Sequence, residues 1–141
     1  MATRVARAQS PSDLATAHQI RNAVFIVEQG VPAELEVDGL DPTCDHFLAW
    51  SHGVAVATAR TRRTSKGWKL ERVAVLADHR GKAVGTALVH YVLEALPGDA
   101  SVYIHAQESA LGFWERAGFT LQGPRFDEAG IAHRLMSRAS R

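Results

Sequence analysis

The sequence predicts an α+β domain built on a mixed, mostly antiparallel sheet flanked by helices. Strand-like runs separated by tight turns fill the stretch from His46 to Val75. Two helical patterns then alternate with shorter apolar strands up to Met136, and that order implies a right-handed parallel crossover through the first of the two helices. The 141 residues fit one hydrophobic core, so a single domain over residues 1–141 is expected.

The opening run Arg4–Gln9 alternates weakly as a first strand. Ser10-Pro11-Ser12-Asp13 is a helix-start cluster, and Leu14, Ala17, Ile20, Val24 and Val27 recur at helical spacing behind it. Gly30 and Pro32 end that helix, and the acidic stretch Ala33–Asp45 reads as a short helix and a lid or binding loop. Strands are expected over His46–Ser51, Val54–Thr61 and Trp68–Val75, the first pair forming a hairpin around Gly53. A helix from Ala83 to Leu96 follows, with Val84, Leu88, Tyr91, Val92 and Ala95 as its inner face. Then come a strand over Ser101–Ala106, a helix over Glu108–Ala117 closed by Gly118, and strands over Phe119–Gln122 and Ile131–Met136. Gly123-Pro124 and Ala129-Gly130 act as breakers between the last two.

Charge excludes some functions. Sixteen basic residues against fifteen acidic ones, scattered along the chain, leave a net charge of +1 and no footprint for nucleic acid. One cysteine, Cys44, forms no intrachain disulfide or thiol zinc site, and no metal is expected; it reads as a small apolar residue. Met1–Gln9 lacks the apolar core of a secretory signal, and no apolar run approaches the ~20 residues of a membrane helix. A cytoplasmic protein without membrane contact is expected.

Chemistry concentrates in two segments. Ala77-Asp78-His79-Arg80-Gly81-Lys82-Ala83-Val84-Gly85-Thr86 leads from a strand into a helix. Consecutive backbone N–H groups at a helix start, beside Arg80 and Lys82, form a natural pyrophosphate site, although the segment taken alone is equally a basic helix-capping turn. The glycines Gly81 and Gly85 let a ligand approach the backbone closely. Gln107 to Phe119, with Phe113 and Trp114, reads by itself as an aromatic helix packed on the sheet.

Together and in this order the segments resemble the GNAT acetyltransferase superfamily. There an Arg/Gln-x-x-Gly-x-Gly/Ala signature opens a helix, and a later Asn-x-x-Ala-x-x-x-Tyr-x-x-x-Gly-Phe pattern follows the next strand. Here they stand as Arg80-x-x-Ala83-x-Gly85 and Gln107-x-x-Ala110-x-x-x-Trp114-x-x-x-Gly118-Phe119. Arg21, Val24-Phe25, Glu28-Gln29, Val31-Pro32, Asp38 and Ile131-Ala132-His133 look like the small bacterial ElaA-like branch. Three positions depart from the pattern: Ala83 for glycine, Gln107 for asparagine, and Trp114 for the tyrosine that protonates the departing thiolate in many relatives. An indole N–H is a donor and not a practical acid.

The resemblance implies acetyl-CoA as acyl donor, held by Val73, Ala74, Val75, the Arg80–Thr86 loop (Arg80, Gly81, Lys82, Ala83, Val84, Gly85, Thr86), Gln107, Phe113 and Trp114. It implies a small-molecule or peptide amine as acceptor and is compatible with a homodimer; Phe25, Glu28 and Gln29 are candidates to line the acceptor entrance, or else a helix end packed on the sheet. Glu71 stands two residues from Val73 on the expected strand, sharing a face with Val73 and Val75, where several relatives place a carboxylate that takes the amine's proton. Its alternative is a surface pair with Arg72 or another basic neighbour. His105 and His133 are further catalytic candidates, or satisfied structural histidines. The expected activity is direct acyl transfer to a primary amine in a ternary complex. The alternative, suggested by Trp114, is a CoA-thioester-binding module with little or no turnover.

Overall fold

In the computed structural model, which describes residues 3–139, the first helix, α1 (Pro11–Arg21), starts where its cap is encoded. Ser10 Oγ accepts the Asp13 backbone N–H at 3.1 Å, and Pro11 occupies the first turn, where no amide donor is needed. The helix does not run on as an α-helix. Over Asn22–Glu28 it widens into a π-helix, closed by Gln29 N–H donating to Val24 O. Each π-helical residue turns through a smaller angle, so Val24 stays buried while Val27, expected on the same face, is 74% exposed.

The strands are β1 (Thr3–Arg7), β2 (Asp45–Ser51), β3 (Val54–Thr64), β4 (Gly67–Val75), β5 (Val102–Gln107), β6 (Thr120–Glu128) and β7 (Ile131–Arg138). They form one mixed sheet in the order β1-β2-β3-β4-β5-β7-β6. Only β4 and β5 are parallel; the other neighbouring pairs are antiparallel. The helices α2 (Ala33–Glu36), α3 (Val84–Ala95) and α4 (Leu111–Arg116) complete the fold. None of the helices among the described residues is long and apolar enough to cross a membrane.

Both faces of the sheet are covered. Phe47, Val56, Leu70 and Ile104 pack with Leu88 and Val92 of α3 and Trp114 of α4, while Leu48 and Ala74 pack with Ala17 and Ile20 of α1. Adjacent Phe47 and Leu48 thus go to opposite faces, as a pleated strand requires. On α3 the buried positions include Val89 and Leu93; Tyr91, expected inside, lies at the rim with its ring edge-on to Phe47. Gly123-Pro124 does not end β6. Proline lacks an amide donor, and the strand absorbs it as a register shift between Leu121 and Arg125 on the sheet edge, where no partner is lost.

A second irregularity shapes the centre. Thr58 faces Ala74 but Arg60 faces Glu71, so β4 carries an extra residue there, and Arg72 adopts φ +54°. The bulge reverses the alternation: Leu70, Val73 and Val75 pack toward α3 and α4, whereas Ala74 packs toward α1. Glu71, next to Leu70, points to the α1 face, so it does not share a face with Val73 and Val75 as the sequence predicts.

The acidic stretch 33–45 is tied to the sheet and α1 by ion pairs, and its residues Leu35, Glu36 and Asp38 line the cavity. Arg60 on β3 is 0% exposed and donates to Asp38, Asp41 and Glu71. Arg21, also buried, reaches Glu36 and Asp41, and Arg72 reaches Glu36 and Asp38. Arg60→Met should therefore cost about 3–5 kcal/mol in chemical denaturation, because three carboxylates lose a buried partner. The carboxyl pKa values set the acid sensitivity. Burial pushes the Glu71 carboxyl up, but hydrogen bonds and charges from Arg62, Arg60 and Lys69 outweigh it and hold it at about 2. Hydrogen bonding from Arg60 lowers Asp38 as well. Groups depressed in the folded state stabilise fully above their unfolded pKa and lose that contribution as pH falls through the folded value. The melting temperature should therefore hold from neutrality to about pH 5 and fall steeply toward about pH 2, less so in Arg60→Met.

Candidate functional site

β4 and β5 pair only at Trp68–Val102 and Lys69–Tyr103 and then part. Beyond that point β4 stays paired with β3 to Val75, and β5 stays paired with β7 to Gln107. The facing edges open a cavity of about 580 Å³. Leu76 N–H donates to Val56 O on β3, so by alternation the N–H and C=O of Val75 face the opening, where Val75 O accepts Arg80 Nε–H at 2.9 Å. Unpaired strand edges of this kind suit an extended ligand with amide groups.

One end of the cavity leads to the loop before α3. Ala83 caps this helix with φ +64° and ψ 11°, a left-handed conformation that explains why glycine usually stands there; the helical dihedrals that would make alanine harmless are absent. Arg80 and Gly85 line the cavity; Gly81, Lys82, Ala83 and Thr86 are exposed outside its lining, and Lys82 has no partner among the described residues. Val84 is buried beneath the helix and offers only its backbone. Gly85 lies against Phe113 and Val75, and a Cβ there would stand 3.4 Å from the Phe113 ring. Arg80 is not free: its guanidinium forms a two-point pair with Glu28 at 2.5 and 2.6 Å.

The π-helical segment crosses the front. Phe25 and Gln29 line the cavity, while Glu28 sits at its rim on Arg80. Gln29 and Gln107 exchange two amide hydrogen bonds, at 3.3 and 2.9 Å, tying this segment to the end of β5. Trp114 is buried edge-to-face between Phe113 and Phe119 and lines the floor.

Glu71, His105 and His133 all border the cavity. Glu71 is a poor proton acceptor, since Arg60, Arg62 and Lys69 all contact its carboxylate. It does not pair with Arg72. The histidines converge on a residue the sequence reading passed over. His105 Nδ1–H donates to Glu128 Oε1 at 2.9 Å, and His133 Nε2 lies 3.8 Å from Glu128 Oε2. His133 Nδ1–H donates to Ile131 O at 2.7 Å. His105 Nε2 has no partner among the described residues, and the His105 bond is the main cause holding the Glu128 carboxyl below its ordinary range. Glu128 ends β6, beside the Ala129-Gly130 turn whose two residues both have positive φ, the geometry of a two-residue hairpin. It becomes visible only once β6 is carried through Pro124. Lys69 was also passed over, although its spacing of two from Glu71 places them side by side.

The comparisons agree with this architecture. Residues 8–139 match the family described as the acetyltransferase (GNAT) domain. The chain is 38% identical over 141 residues to BSU40680 of Bacillus subtilis, named as an acetyltransferase, with 95% of each chain covered. It is 35% identical to the Escherichia coli protein ElaA over 92% of this chain and 89% of that one. Among solved structures, an acyl-CoA N-acyltransferase from Pseudomonas aeruginosa superposes with a TM-score of 0.85 at 30% identity, covering 99% and 100% of the two chains. The crystal structure of Escherichia coli ElaA gives 0.83 at 32%, covering 96% and 97%. The chain belongs to the GNAT acetyltransferase family, and this membership supports a general acyltransferase function.

The left-handed alanine yields a direct check. Relief of about 1–2 kcal/mol of strain outweighs the ~0.5–1 kcal/mol entropic cost of glycine. Ala83→Gly should therefore raise the unfolding free energy by roughly 0.5–1 kcal/mol in urea titration.

Proposed function

We propose that the protein transfers the acetyl group of acetyl-CoA to a primary amine by direct attack in a ternary complex. The observation that carries this reading is the unpaired edge of β4, with the loop before α3 at one end and the His105–Glu128 pair at the other. In this reading the pantetheine arm lies along Val73 and Val75 and the pyrophosphate rests on the N–H groups opening α3, with Lys82 alongside.

An alkyl ammonium, with pKa near ~10.4, has no lone pair with which to attack. His105 Nε2 takes that proton, and Glu128 stabilises the imidazolium that forms, so the role expected for Glu71 passes to this pair. The amine nitrogen then bonds to the thioester carbonyl carbon, the C–S bond breaks, CoA departs as thiolate, and the nitrogen gives up its second proton to water as the neutral amide forms. A thiol of pKa ~8.5 is a tolerable leaving group, and water returns the proton. Positioning alone can supply ~7–11 kcal/mol, against about 3–5.5 kcal/mol for an acid or base, so the missing tyrosine slows such a reaction without abolishing it. Trp114, packed between two phenylalanines with no titratable proton, favours the second reading, a CoA-thioester-binding module with little turnover.

Free CoA should raise the melting temperature, and Lys82→Ala should weaken CoA binding by about 1.5–3 kcal/mol in isothermal titration. An unchanged affinity would take the loop out of the site. Thiol release with a panel of amines separates the two readings. If the first holds, Glu128→Gln and His105→Gln keep CoA affinity but lower turnover roughly 10²–10⁴-fold at neutral pH. The deficit should shrink as pH rises toward the amine's own pKa, where solution supplies free base. Equal rates at neutral pH would exclude the pair as the proton acceptor.

A further inference from the structure

The charge around the cavity is unevenly shared. Five cations, Arg21, Arg60, Arg62, Lys69 and Arg72, gather around four carboxylates, Glu36, Asp38, Asp41 and Glu71. Arg21, Arg60 and Arg72 each contact at least two of those carboxylates, which settles the buried half of the network. Arg62 and Lys69, at the cavity end, share Glu71 alone, and Glu71 is already bound to Arg60.

Both side chains have donors to spare. Arg62 uses only Nε–H, leaving its two terminal nitrogens without a partner among the described residues. Lys69 makes one contact, at 3.2 Å, yet its side chain is only 12% exposed. A nearly buried ammonium with a share in one carboxylate is under-compensated, and it gains from any anion that enters. Both residues line the same cavity as His105, Glu128 and His133. Lys69 also helps, behind the His105 hydrogen bond, to keep the Glu128 carboxyl ionised, so the two groups are within electrostatic reach.

We propose that the acceptor amine carries an oxyanion of its own, a carboxylate in the first instance, which Arg62 and Lys69 hold on one side of the cavity while the amine faces His105 and Glu128 on the other. The substrate class is then amino acids or other amino-carboxylates rather than polyamines, whose second cation would meet Arg62 and Lys69. A fixed anion and a fixed proton acceptor would also orient the nitrogen, since a two-point hold removes the freedom that a plain alkyl amine keeps. The identification of the amine as acceptor rests on the acyltransferase reading; the anion site does not.

The test uses matched pairs that differ only in the anion: glycine, β-alanine and γ-aminobutyrate against their primary amides, and phosphoethanolamine against ethanolamine. Acetyl-CoA-dependent thiol release gives kcat/KM for each. Within at least one pair the anionic member should be favoured by about ten-fold or more, the scale of one charge-assisted hydrogen bond. That ratio should fall toward one in Lys69→Met and in Arg62→Gln, either of which leaves Glu71 two of its cations. A preference confined to phosphoethanolamine would make the oxyanion a phosphate rather than a carboxylate. A second measurement needs no turnover: the N-acetylated acids and their amides are titrated calorimetrically into the protein without CoA. Acid-selective binding that Lys69→Met abolishes, with no thiol release from any amine, would keep the anion site and refute the acyltransferase reading. Amides or putrescine used as well as the acids, with ratios unmoved by either variant, would overturn the anion site and leave acyl transfer standing.

Discussion

The parting of β4 from β5 is the constraint on which the site depends. Two residues of parallel pairing hold the sheet together, and beyond them each strand keeps only its outer neighbour. Backbone donors and acceptors of Val73 and Val75 would ordinarily be used up in the ladder; here they face an opening. The bulge at Arg72 belongs to the same device. By adding a residue, it lets β4 turn Val73 and Val75 toward Phe113 and Gly85 while Glu71 faces the arginines on the other side. A regular strand would bring the charged network and the apolar floor onto one face.

The arginine network explains why the front of the molecule holds its shape without a large apolar contact. Glu36, Asp38 and Asp41 lie on a stretch with little to bury, and Arg21, Arg60 and Arg72 fasten it to α1 and the sheet. Cys44 belongs to the same corner, where its Sγ–H reaches Leu40 O and burial raises its pKa, so it is a poor nucleophile. At the other side of the opening, Glu28 on Arg80 and Gln29 on Gln107 fasten the π-helical segment with neutral and charged bonds near solvent.

Trp114 illustrates how one aromatic residue can keep a shape and change a chemistry. The indole fills the position between Phe113 and Phe119 and maintains the packing that seats Gly85, but it brings no acidic proton. Substrate positioning is worth more than proton donation by several kcal/mol, which is why a cavity without that donor remains suited to acyl transfer.

Much of the fold is local and was therefore open to sequence reading. Ser10, Gly53 and Gly118 mark element ends through hydrogen bonds and dihedrals that involve only near neighbours, and the turn that leads into α3 follows from backbone and glycine placement within a few residues. What distance in sequence conceals, only the tertiary structure decided. The π-helix that exposes Val27, the bulge that turns Glu71 away from Val73, and the continuation of β6 through Pro124 each depend on neighbouring strands or helices that outweigh local preference. Glu71 itself was legible as a carboxylate near the site; its character was set by Arg60, on another strand, and by Arg62 and Lys69. Glu128 had no signal of its own, because a glutamate before an Ala-Gly turn is unremarkable until the hairpin folds and sets it against His105, twenty-three residues away. Sequence fixes which groups are present and how neighbours are spaced, but proton affinity depends on charge and burial within a few ångströms, and those come from segments far apart in the chain.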